Sequence, residues 1–124
     1  MTQPLALVLY ERLLPGTQIV NRLQDFGYRV LTVNSIQSLM DNASREKPML
    51  VLVDLVARRF QVAEGIAQLR QNPVTNHLPV IAFADDKNAA LQTAAREAGA
   101  TLVVNEAAIL THLEQFLDQA LQLD

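Results

Sequence analysis

The chain has 124 residues, the size of one compact domain; half of them are apolar and none is cysteine, which excludes disulfides, thiolate chemistry and cysteine-ligated metal. Its formal net charge of −3 comes from interspersed acids and bases, so no basic footprint marks a nucleic-acid partner. No apolar run approaches the ~18 residues of a membrane span, and the first four residues lack a signal peptide's charged region; a cytoplasmic protein with no membrane partner is expected.

Five short apolar runs follow one another at residues 5–10, 28–33, 49–54, 78–84 and 101–104. Near-continuous apolar runs suit strands covered on both faces, as in a parallel sheet. The run at 28–33 alternates more and belongs nearer an edge. Helix-length segments with a 3.6-residue period lie between the runs. The first carries Ile19, Val20, Leu23 and Phe26 and stops at Gly27. The second opens at Asn34 and Ser35 and carries Ile36, Leu39, Met40 and Ala43. The third carries Val62, Ile66 and Leu69 and ends at Asn72 and Pro73. The fourth spans 87–98 and closes at Gly99. The fifth, over 106–121, has a wide apolar face with Ile109, Leu110, Leu113, Phe116, Leu117 and Leu121.

Strands alternating with helices predict a single α/β domain over 1–124, a doubly wound, flavodoxin-like sheet of five parallel strands with five helices in three layers. Chemistry in such sheets collects beyond the carboxyl ends of the strands, where strand order reverses. Asp54 stands at the carboxyl end of the third strand, and the same rim is expected to hold Tyr10, Glu11, Ala84, Asp85, Asn105 and Glu106.

The segment at 7–11 (LVLYE), the LVLVD strand ending at Asp54, the 78–84 run with Pro79, and the EAGA turn at 97–100 occur in an order that resembles the receiver domain of two-component response regulators, of the CheY-like type, across the whole chain. The resemblance implies a signalling role in a phosphorelay, with Asp54 in the position that accepts a phosphoryl group in the presence of Mg2+. It also implies a protein partner, a histidine kinase or an output domain, and a possible homodimer through helix four, strand five and helix five.

The helpers that the family places around its aspartate are altered here. Two adjacent acids that hold the metal become Tyr10 and Glu11; a Thr or Ser at the end of strand four becomes Ala84; a Lys at the end of strand five becomes Asn105 or Glu106, depending on a one-residue shift. Asp54, Glu11 and the carbonyl of Val56 are left to offer Mg2+ a weak site or none. The lost lysine removes positive charge from where phosphoryl oxygens would lie, and the lost hydroxyl removes a group whose reorientation couples modification to conformation. A pseudo-receiver is therefore expected, acting through protein contacts with weak or no phosphoryl switching and at most autocatalytic acceptance on Asp54. The alternative is a receiver phosphorylated on Asp54 by a histidine kinase with Mg2+.

Arg58 and Arg59 follow Asp54 by four and five residues; one guanidinium pairs with Asp54 or Glu11 in place of metal and lysine, or both point to water. Asp85 and Asp86 read as a metal pair or as the cap of helix four. His77 falls at the opposite rim, and His112, inside the last helix, lacks a second ligand at metal spacing. The interaction face is expected on Ala89, Ala90, Ala94 and Ala95 of helix four. On helix five, the row Leu110, Leu117, Leu121 is either buried beside Ile109, Leu113 and Phe116 or left free for a partner. No glycine-rich phosphate loop follows strand one, where 10–16 holds a single Gly, and no G-x-S-x-G elbow occurs.

Overall fold

A computed structural model describes residues 3–122. Its elements run β1 (Leu5–Leu9), α1 (Leu13–Asp25), β2 (Arg29–Val33), α2 (Ile36–Glu46), β3 (Leu50–Asp54), α3 (Val62–Gln71), β4 (Val80–Ala84), a 3-10 turn (Asp86–Asn88), α4 (Ala89–Ala98), β5 (Leu102–Asn105), α5 (Glu106–Ile109) and α6 (Leu113–Gln122). The five strands form one parallel sheet in the order β2-β1-β3-β4-β5. The order reverses between β1 and β3, and both the tip of β1 and Asp54 stand at that point.

The near-continuous apolar runs are the three central strands, every residue of which is buried. Alternate side chains go to opposite faces. Leu7, Leu9, Val51, Val53, Val80 and Ala82 pack with Leu39, Ala43, Ile66, Leu69 and Ala95 from α2, α3 and α4. Ala6, Val8, Leu50, Leu52, Ile81 and Phe83 pack with Ile19, Leu23, Ile109, Leu113, Leu117 and Ala120 from α1, α5 and α6. The alternating run at 28–33 is the edge strand β2, and β5 is the other edge, half-buried along its length.

Helix boundaries follow local chemistry. Ser35 caps α2 by accepting the Ser38 amide at 3.0 Å. Leu14 is extended (φ −118°, ψ 131°), so the regular part of α1 begins at Pro15, whose ring suits a first turn. Gly99 ends α4 in the left-handed region at φ 108°. There it meets Arg70 of α3, whose guanidinium donates to the carbonyls of Gly99 (2.8 Å), Asn76 (2.9 Å) and Leu78 (2.7 Å) and to the Thr101 hydroxyl (3.2 Å). One cation thus ties α3 to the turns that precede β4 and β5.

Two expectations are corrected. The fifth helix is two: α5 ends at Ile109, and α6 resumes at Leu113 after a turn containing His112. The break puts Ile109, Leu113, Leu117 and Ala120 on the sheet as one buried row. That row takes members from both rows anticipated from the sequence, so Leu117, only 4% exposed, is core and no partner surface. Leu110 and Leu121 are half-buried beside it.

Candidate functional site

Asp54 is the last residue of β3 and is 1% exposed. Its carboxylate is fully engaged. Arg12, three residues past the end of β1, donates Nε to Oδ2 at 2.9 Å and Nη2 to Oδ1 at 2.7 Å, a bidentate pair. The Val56 amide adds a third bond to Oδ1 at 3.0 Å. Arg12 Nη2 also donates to Glu106 Oε1 at 2.6 Å. One guanidinium therefore joins the β1–α1 loop, the tip of β3 and the start of α5.

Burial is the largest influence on Asp54 and pushes its carboxyl above the usual range, while the bonds from Arg12 and Val56 pull it back down and the Glu106 charge pushes it up again. From the other side, the bond to Asp54 leads the influences that hold the Arg12 guanidinium firmly protonated. With two short charge-assisted bonds in place, the ionised pair is the state this geometry favours.

Glu11 bonds the loop between β3 and α3. Its carboxylate accepts the backbone amides of Arg58 (3.2 and 3.3 Å) and Arg59 (3.4 Å), and the Arg59 guanidinium lies 3.5 Å away. The Arg58 amide is the first cause of a lowered Glu11 carboxyl. Of the two partners offered to Arg58 and Arg59, then, Arg59 reaches Glu11, and Asp54 is taken by Arg12. Arg12 drew no notice in the sequence. Nearness to Asp54 along the chain favoured Arg58 and Arg59, whereas the pairing depends on β1 lying beside β3, which brings residues 42 apart together.

The other rim residues lie at or just beyond the strand ends. Ala84 ends β4, buried, with its carbonyl accepting from Gln92 at 2.8 Å. Asn105 is the last residue of β5, opposite Ala84, and Glu106 opens α5. The Asn105 side chain accepts the Ala107 amide at 2.8 Å and donates to Asp86. Asp85 does not cap α4 through a backbone amide; its carboxylate accepts from the Asn88 side chain at 2.8 Å. Tyr10 lies over α1 so closely that a Cβ on Gly16 would stand 2.3 Å from its ring. Among the described residues, no cluster of three His, Asp or Glu gathers that could hold a metal. The oxygens of Asp54 and Glu11 already accept N–H donors, so a magnesium ion drawing on Asp54 would have to displace the Arg12 guanidinium.

His77 lies at the opposite rim, beside Pro48, Met49 and Pro79. His112 is exposed and meets Phe116 edge-on at 6.3 Å. On α4, Ala89 and Ala90 are exposed, Ala94 is half-buried and Ala95 is core. No helix among the described residues is long and apolar enough to cross a membrane.

No protein-family model matches the chain, and neither does any curated protein. Solved structures do. The receiver domain of a sensor histidine kinase from Pseudomonas aeruginosa, with a magnesium ion coordinated in its active-site cleft, superposes with a TM-score of 0.86 at 18% identity, over 97% of this chain and 98% of that one. The receiver domain of NtrX from Brucella abortus gives 0.81 at 19% identity over 96% and 99% of the two chains. The chemotaxis response regulator CheY4 of Vibrio cholerae gives 0.75 at 17% over 92% and 98%. This chain has the fold of response regulator receiver domains.

Proposed function

We propose that the chain is a receiver-type module of two-component signalling, acting in the cytoplasm through protein contacts, and that Arg12 holds its aspartate in one state. The bidentate Arg12–Asp54 pair, shared with Glu106, carries this reading. A carboxylate attacking phosphorus must present a free oxygen, and both oxygens here accept bonds from the Arg12 guanidinium. With alanine at position 84, no hydroxyl is there to follow a modification. The surface offered to a kinase, an output domain or a second copy is that of α4, β5 and α5. There Ala90 and Leu91 are exposed and Ala94 is half-buried.

The test is a titration with beryllium fluoride and magnesium, a phosphoryl mimic, followed by amide chemical shifts. A silent response around Asp54, Glu11 and Ala84 is expected. Shifts clustered there and lost in Asp54→Ala would establish the second reading, acceptance of a phosphoryl group on Asp54 with Mg2+. That reading draws on the magnesium-bound cleft of the Pseudomonas receiver and requires Arg12 to leave Asp54.

A further inference from the structure

The rim opposite Asp54 carries an unspent surface. Three adjoining hollows, of about 470, 420 and 250 Å3, open there around His77 and Leu78, which line all three. Their floor is apolar: Leu78, Pro48, Pro79 and Leu121, edged by Met49 and Val74, which are 47% and 51% exposed. Exposed apolar side chains gathered around linked hollows mark a contact surface more than a scatter of single residues does.

The charge of this trough has one sign. Lys47, His77 and Arg70 line it, and among the described residues no Asp or Glu does. Arg70 is the telling member. Its guanidinium is half-buried and its bonds go only to three carbonyls and one hydroxyl; it makes no salt bridge among the described residues. Burial lowers its pKa, and no neighbouring charge offsets that effect. A partly desolvated cation without a counter-ion is a costly arrangement, and an anion brought to it is bound more strongly than on an open surface. Four of its five N–H groups are used, which leaves one to give.

We infer that this trough docks an extended segment of a partner protein that alternates apolar side chains with at least one carboxylate. Separate, linked hollows match side chains spaced along a peptide, and Asn76, His77 and Thr101 line them with groups that can bond a peptide backbone. The acid meets Arg70 and Lys47 while the apolar side chains cover Met49 and Val74. The surface is separate from Asp54, so the inference stands whichever way that residue behaves.

The probe is a capped hexapeptide of alternating leucine and aspartate, with a leucine–lysine peptide of the same length as control, read by amide shifts on the full chain. Shifts are expected at Lys47–Met49, Val74–Leu78 and Thr101, with affinity falling at least tenfold for the lysine peptide, in Val74→Asp and in Lys47→Glu, and also with added salt. Both substitutions lie on exposed side chains, and retained amide dispersion shows that the variants fold. Equal affinity for the two peptides, shifts on another face, or none at millimolar peptide overturns the inference. So does decanoate reproducing the same shifts, which would make the occupant a lipid-like amphiphile, or concentration-dependent shifts of these residues without peptide, which would make it a second copy.

Discussion

Arg12→Ala removes two charge-assisted bonds from a carboxylate that is 1% exposed and leaves it the Val56 amide alone. Breaking a buried ion pair from one side costs about 3–5 kcal/mol, because the surviving charge stays desolvated. The Arg12 side chain is 32% exposed, so water enters the space it vacates and the lower end applies, about 3 kcal/mol. Urea unfolding followed by circular dichroism measures this directly. The loss should also depend on pH. Without the guanidinium, burial raises the Asp54 carboxyl further, so the folded variant binds a proton that the unfolded chain releases. The stability of the variant then falls as pH climbs from about 4, the ordinary aspartate value, and the gap to the parent chain is narrowest in acid. In a double-mutant cycle with Asp54→Ala the two losses should not add, and the coupling should reach about 2 kcal/mol. A loss below about 0.5 kcal/mol at pH 7, or additive losses, would refute the pairing.

Three further outcomes follow from the geometry. Glu11, lowered first of all by the Arg58 amide, should titrate below its reference value of 4.5 in carboxyl NMR; its stabilising effect is present above that value and disappears as pH falls through the folded pKa, and Glu11→Gln should abolish this acid-side dependence. Gly16→Ala should destabilise by about 1–3 kcal/mol because its Cβ would collide with the Tyr10 ring, and in a Tyr10→Ala background the same change should be close to neutral by thermal melting. Phe83→Ala, in the largest fully buried side chain of β4, should cost about 3–5 kcal/mol in urea unfolding; a value under 1 kcal/mol would contradict the placement of the core.

The strands were legible because burial on both faces leaves a signature that needs no partner to interpret: β1, β3 and β4 read as unbroken apolar runs, and β2 betrayed its edge position by alternating. Gly27, Ser35 and Gly99 marked helix ends through local backbone chemistry. The division of the last helix was hidden, since Leu110 through His112 keep an apolar-periodic pattern while the chain turns to seat Leu113 and Leu117. Arg12 was hidden for a different reason. Nothing in its neighbours separates it from any rim arginine, and its role exists only once parallel pairing has set β1 against β3. Sequence distance pointed to Arg58 and Arg59; sheet order pointed elsewhere.

The two ends of the sheet are fastened by guanidinium groups of opposite temperament. At one end Arg12 grips two charged carboxylates; at the other Arg70 grips carbonyls and a hydroxyl. The hold at the Asp54 end therefore depends on charges staying paired, whereas the hold on the turns around Gly99 and Asn76 rests on acceptors that carry none.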